Sequence, residues 1–496
     1  MANTQHPLLQ WFTSVGIELH PSLYLEQDPV TGLSFYTSQP FPQDTTVVRV
    51  PKELCITSSA ALQRVQLLLR ELSGSALELD PASLPPPDWI LLYLVLSRLA
   101  EEYLTSAPEG ANKLNYVFTH LPYISHIPKT ITTPLHFSTA ELALLANTPL
   151  VGSTERRLRE TIVDYERARS LVLTHLSADS SSDGFAAFLS QVLQPVSLDQ
   201  LEEDPLMART FHKALELWRW AESAFTSRSF PPRLIGLSDA SQGQPSSNDS
   251  ALTSAPILIP GYDTFNHARA HPVTWSTSTH GQVCMTLNYV SPAGCQVYNN
   301  YGGKSNEEFL SGYGFTLPTC SEDTLALKLG DGSNDTAITG KQTHYWRIPS
   351  SATSEVPLHD DEGRFIEPTC PAPGLPDEMI RTCVDHSLGM SSIEIYARIM
   401  EVLESMLIHK RKAFRKSQQA FNDLSESQLV QRGEEWDRGE TEMVREGVYG
   451  DIAQYRKGQL GLLNHAVSWT RDVLEKVAEV LDAEGEEMGG EYEGDC

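Results

Sequence analysis

Two short clusters hold the residue types best suited to chemistry. The first is Asp263-Thr264-Phe265-Asn266-His267, which follows the apolar run Ile257-Leu258-Ile259 and the pair Pro260-Gly261. A Pro-Gly pair turns the chain sharply, so an amide and an imidazole arrive side by side at the end of a turn. An Asn side chain carries donors and an acceptor, a pattern suited to reading a nucleobase edge or a main-chain segment. The second cluster is Asn300-Tyr301-Gly302-Gly303-Lys304-Ser305-Asn306, closing on Gly312-Tyr313-Gly314-Phe315. Tyr301 stands next to a Gly-Gly pair, where backbone can approach a ligand closely. A phenol placed there can donate and accept hydrogen bonds at a reacting centre. Taken singly, Asn266 reads as a turn cap, His267 as a satisfied buried histidine and Tyr301 as a tyrosine closing a hairpin.

These groups need a scaffold. Val283, Met285, Leu287 and Tyr289 alternate with Cys284, Thr286 and Asn288, the period of a half-buried strand. Pro292-Ala293-Gly294 turns the chain, and residues 296–300 read as the returning strand. Near the start, residues 7–15 form a short amphipathic helix lined by Leu8, Leu9, Trp11 and Phe12. Residues 31–36 and 47–51 then read as a strand pair joined by a Pro-containing loop. From Ser58 to about Ile235 the pattern is helical, with helices expected over 60–72, 88–103 and 213–229. Residues 238–254, rich in Ser, Gly, Asn and Gln, cannot bury apolar area and read as a loop. Beyond Pro318 come strand and loop, a turn at Gly330-Asp331-Gly332, and helices over 377–386, 393–421 and 449–481.

The clusters in this order resemble the C-terminal half of a SET domain. More narrowly they are similar to the branch typified by the Rubisco large-subunit lysine methyltransferase, with its D-x-x-N-H turn and closing Y-G-x-x-S-N…Y-G-F segment. Pro51-Lys52-Glu53-Leu54 resembles the family's "I-P-x-x-L" exit from the opening strand. Aligned to that exit, Gly32-Leu33-Ser34 takes the place of the family's G-x-G turn, with Ser34 replacing the second glycine. Residues 118–150 resemble its helical insert, Ser227-Arg228-Ser229-Phe230 its "SR.F" motif, and Tyr455 to Leu463 the "YR..Q..IL" helix of its C-terminal substrate-binding domain.

The resemblance implies an α+β fold: a β-rich SET domain interrupted by a helical insert, followed by a mainly α-helical domain. The expected divisions are 1–57 and 256–318 for the SET halves, 58–235 for the insert and 236–255 for a flexible loop. A substrate-binding domain over 319–483 and an acidic tail over 484–496 complete them. It also implies S-adenosyl-L-methionine as cofactor. Tyr301 would aim the acceptor, and Asn266 and His267 would bind the cofactor with the Gly32-Leu33-Ser34 turn. Arg228 would pair with its carboxylate, Phe315 would pack near its adenine, and Asp263 and Tyr313 would line the junction with the substrate. Without the resemblance, Arg228 near a helix end reads as a surface cation complementing the helix dipole.

Composition narrows the classes. A chain of 496 residues, 40% hydrophobic and 20% charged, fits two or three globular domains. Its net charge of −27 argues against nucleic acid, which needs clustered Lys and Arg. Lys410-Arg411-Lys412 with Arg415-Lys416 reads as a solvated helix face, with nuclear import or docking as the other readings. The longest apolar run, 89–96, is too short to span a bilayer, and no secretory signal opens the chain. Seven cysteines without C-x-x-C spacing suggest reduced thiols and no structural zinc. The expectation is a cytoplasmic or nuclear monomer.

Methyl transfer from a sulfonium to an amine demands in-line alignment and a neutral acceptor. A free lysine has a pKa of about 10.4, so the site must strip its proton and exclude water. A phenol with an ordinary pKa of about 10 serves better by positioning than as a base. The function implied is a protein-lysine N-methyltransferase acting on a non-histone substrate such as a ribosomal or translation protein. Two alternatives stand beside it: histidine methylation on the same fold, and a catalytically silent interaction protein.

Overall fold

The structure, a computed structural model, describes residues 6–107, 111–176, 184–194, 205–237, 252–269, 271–329, 343–349, 366, 368–383, 390–424, 429–430 and 443–490. The chain divides into two compact units, Met1–Ile131 with Arg156–Gly303 and Thr132–Glu155 with Lys304–Cys496. Of the segments read from sequence, 238–251 of the Ser-rich loop, the turn at Gly330–Gly332, residues 384–386 and the tail from 491 lie outside the described residues. No helix among the described residues is long and apolar enough to cross a membrane.

The strands described in the first unit are β1 (Glu18–Leu19), β2 (Leu23–Asp28), β3 (Gly32–Thr37), β4 (Thr45–Pro51), β5 (Ser229–Phe230), β6 (Ile257–Leu258), β7 (Val273–Thr277) and β8 (Gln282–Leu287). One antiparallel sheet runs β1-β4-β8-β7, while β2 pairs with β3 and β5 with β6. The core strands are β-branched or apolar: Val48 and Val50 of β4 and Val283, Met285 and Leu287 of β8 are buried. A register shift between Thr46 and Val48 also lets Val47 face inward.

Two expectations need correction. Residues 31–36 and 47–51 do not pair with each other: β3 takes β2 as its partner, and β4 takes β1 and β8. Residues 296–300 are not the return strand of a hairpin with β8, because β4 and β7 already occupy both of its edges. That segment instead forms isolated bridges, Tyr36 with Gln296 and His267 with Asn299. It therefore laces β3 to the Asn266-His267 turn.

Helices pack around these strands. Pro7–Ser14 buries Leu8, Trp11 and Phe12 as expected. Ser58–Ser73 starts where Thr57 accepts the Ala60 N–H and stops at Gly74, left-handed at φ 65°. Pro86–Ser106 is buried at every position from Asp88 to Ala100, so it is a central helix and not an amphipathic one. Pro205–Arg228 ends at the arginine of the SR.F motif.

In the second unit, Ser392–Asn422 and Glu446–Gly490 run antiparallel, since Glu404 pairs with Arg471 and Arg415 with Asn464. Leu403, Leu407, Phe414, Leu463, Val467 and Val473 fill the space between them. The "YR..Q..IL" residues serve this packing: Tyr455, Arg456, Gln459, Leu462 and Leu463 are all buried. Arg456 donates to the Leu144 and Ala146 carbonyls and to Ser417 Oγ, tying down chain ends that helices leave unsatisfied.

Candidate active site

The turn that carries the first cluster is built by backbone demands. Gly261 follows β6 at φ 91°, a region that favours glycine, and an added Cβ would meet the Phe12 ring at 3.4 Å. Tyr262 and Phe265 are fully buried and anchor the turn, with the Phe265 ring 4.7 Å from that of Phe35 on β3. Between these anchors stand Asp263 and Thr264, and Asn266 follows directly after them.

The segment 295–301 then crosses the turn. Val297 donates to the Phe35 carbonyl, Asn299 to the Asn266 carbonyl, and Ala268 to the Asn299 carbonyl. Asn299 is itself fully buried, its Oδ1 accepting from Trp275 Nε1 and from the Asn300 N–H. This pins the position of the next residue but one, Tyr301.

Tyr301 is held at both ends. Its phenol donates to the Phe265 carbonyl at 2.9 Å, and its main-chain N–H donates to His267 Nδ1 at 3.0 Å. The two rings stack with centroids 5.1 Å apart. As an acceptor at Nδ1, His267 is the neutral tautomer protonated at Nε2. Burial, aided by the Arg269 charge, lowers its pKa to about 4.

Arg228 is not the surface cation of the dipole reading. It donates from Nη1 to Asp263 Oδ2 at 2.8 Å and to the Asp263 carbonyl at 3.1 Å. Its side chain is 22% exposed against 1% for Asp263. Burial opposes the guanidinium charge, but Asp263, with the Tyr123 and Tyr301 phenols, leaves its pKa raised. Asp263 Oδ2 also accepts the Tyr123 hydroxyl at 2.8 Å, whereas Oδ1 is buried with no hydrogen-bond partner.

The Gly32-Leu33-Ser34 turn closes the same region. Asp28 accepts the Val30 and Thr31 N–H groups, and Gly32 then takes φ 78° at the start of β3. Ser34 is different in kind: it lies inside the β2–β3 ladder opposite Glu26, without positive φ, and is fully buried. Its hydroxyl donates to the Thr264 carbonyl at 3.2 Å. Asn266 in turn donates to the Thr31 carbonyl at 3.3 Å. The serine thus occupies a position whose backbone makes no demand for glycine.

Gly32, Leu33, Ser34, Arg228, Asp263, Asn266, His267 and Tyr301 all belong to the first unit, and hydrogen bonds connect β3, the turn, Arg228 and Tyr301. Tyr313 and Phe315 belong to the second unit, where they cluster with Phe309. There Gly314 caps the helix Asn306–Tyr313 at φ 76°, with the Thr132 backbone only 2.7 Å from where a Cβ would stand. Burial raises the Tyr313 pKa to about 12. Tyr123 and Asn299 were missed from sequence. Neither carries a periodic or motif signal, and Tyr123 meets its partner 140 positions away.

No family model matches the chain. It is 30% identical over 209 residues to ribosomal lysine N-methyltransferase set10 of Schizosaccharomyces pombe, covering 42% of this chain and 30% of that protein. It is 23% identical over 371 residues to protein-lysine N-methyltransferase EFM1 of Saccharomyces cerevisiae, covering 72% and 54%. It is 26% identical over 282 residues to actin-histidine N-methyltransferase of Mus musculus, covering 55% and 39%. The chain thus spans from about a third to about half of the length of these relatives. The structure of Rubisco LSMT bound to AdoMet superposes with a TM-score of 0.57 at 16% identity, covering 97% of this chain and 94% of that one. Further matches are to the SET domain of LSMT. The chain has the fold of Rubisco LSMT, including that of its SET domain.

Proposed function

We propose that the protein is an S-adenosyl-L-methionine-dependent protein-lysine N-methyltransferase acting on a non-histone substrate, a ribosomal or translation protein in preference. One observation carries the reading: on a SET fold, Tyr301 is clamped between Phe265 and His267 within the same hydrogen-bonded unit as the Arg228–Asp263 pair. The residues fit the cofactor. A guanidinium with one-fifth of its side chain exposed beside an unpartnered buried carboxylate oxygen suits a group carrying both a carboxylate and an ammonium.

When bound, the cofactor supplies an electrophilic methyl group on sulfur. Arg228 would hold its carboxylate, while Asn266, His267 and the backbone of Gly32, Leu33 and Ser34 would hold the rest. The Tyr301 phenol, fixed in direction by its bond to the Phe265 carbonyl, would aim the lone pair of a neutral lysine nitrogen. His267 stays neutral, so its Nδ1 remains able to accept the Tyr301 N–H and hold that residue in place. The helical second unit would grip the substrate protein, and the reading assigns a monomer of the cytoplasm or nucleus.

The similarity to an actin-histidine N-methyltransferase favours histidine as the second choice of acceptor. A labelled-methyl assay on cell extract separates the two, because the labelled residue is identified after hydrolysis. Label on lysine that disappears with Tyr301→Phe is expected. Absence of label from any protein, with a folded and cofactor-binding sample, would sink the enzymatic reading.

A further inference from the structure

We infer that Tyr123 is a positioning residue for the amino-acid end of the cofactor, acting through Asp263 and Arg228. The inference rests on the methyltransferase reading above. Tyr123 lies in the short helix Leu121–Ile124 and is 3% exposed. Its ring stacks on that of Trp11, with centroids 6.3 Å apart and planes 17° apart. From that fixed ring the hydroxyl donates to Asp263 Oδ2, the same oxygen that accepts from Arg228 Nη1.

The consequence is directional. The terminal torsion of an aspartate is broad, so a single donor leaves the carboxylate plane free to swing. Here two donors from two separate helices converge on Oδ2, and Arg228 is tied again through the Asp263 carbonyl. That leaves Oδ1 without a partner, next to a guanidinium side chain that is 22% exposed. A buried tyrosine that merely satisfies its own hydroxyl would give the same bond, but it would not discriminate between ligands.

The test compares two ligands. S-adenosylhomocysteine carries the amino-acid end, and 5′-methylthioadenosine lacks it while keeping the nucleoside. In Tyr123→Phe, which keeps the ring on Trp11, the Kd for S-adenosylhomocysteine is expected to rise about tenfold or more. The Kd for methylthioadenosine should stay within about twofold. The KM for S-adenosylmethionine should rise with kcat at saturation little changed. Asp263→Asn is the second variant and should show the same selective loss, with no further loss when the two are combined. Equal weakening of both ligands, or no change in either, overturns the inference while leaving the enzymatic reading intact. Failure of the wild-type protein to bind S-adenosylhomocysteine would overturn both.

Discussion

His267 accepts the main-chain N–H of Tyr301 at Nδ1, 3.0 Å away, and its ring stacks on the tyrosine ring. The imidazole therefore acts as a fixed wedge that holds the backbone of the next functional residue. It does so only while Nδ1 is unprotonated. Burial, which pulls its pKa to about 4, keeps it so across the physiological range.

A second histidine makes that protection measurable as stability. His120 is buried, donates from Nε2 to the Leu54 carbonyl and accepts the Tyr93 hydroxyl at Nδ1, and burial lowers its pKa to about 4. Unfolded, it titrates near 6.5, so the unfolded chain takes up the proton first. Stability should be complete above about pH 6.5 and fall toward pH 4, by about 3 kcal/mol from this residue. Denaturant unfolding between pH 7 and 4.5 should show the decline, and His120→Gln should flatten it. A slope unchanged by the substitution would contradict the assignment.

Ser34→Gly would restore the glycine of the resembling family. Because Ser34 sits in a paired strand without positive φ and donates to Thr264, the change should lower stability by about 1 kcal/mol. It should not tighten cofactor binding. Unfolding curves and titration of the variant check both statements; tighter binding would mean that the serine obstructs the site.

In the second unit, Glu141 is wholly buried and takes both arms of Arg445 at 2.9 Å as well as the Ser138 and Arg445 N–H groups. Glu141→Ala removes the carboxylate on which the Arg445 guanidinium and two main-chain N–H groups converge, a loss of about 3–5 kcal/mol. Replacing both partners by apolar residues should recover much of it. Thermal melts of the single and double variants decide the point.

Tyr301→Phe removes the oxygen that donates to the Phe265 carbonyl and keeps the ring. Cofactor affinity is expected to stay within about threefold, whereas kcat for methyl transfer should fall about a hundredfold or more. Single-turnover rates separate binding from chemistry. A large loss of affinity with unchanged kcat would move Tyr301 from aiming to binding.

Local chemistry was legible in the sequence and long-range partnership was not. The D-x-x-N-H turn, the Tyr301 segment and the helix ending at Arg228 are short patterns with strong breakers beside them, and they folded where their residues indicate. Strand pairing was misread because it depends on partners far away: Thr46 of β4 bonds Thr286 of β8, 240 positions on. The same limit hid Tyr123. It also gave Arg228 the look of a surface cation, since Asp263 stands 35 positions beyond it. The Tyr455-to-Leu463 motif was visible, but only packing shows that its side chains face the core of the second unit.

The most direct test of the account is a calorimetric titration of the purified protein with S-adenosylhomocysteine, run beside Arg228→Ala. One-to-one binding by the wild-type protein is expected, with a loss of about tenfold or more in the variant, which lacks the guanidinium that would hold the ligand carboxylate. A well-folded wild-type protein that binds nothing, or a variant that binds equally well, would contradict it.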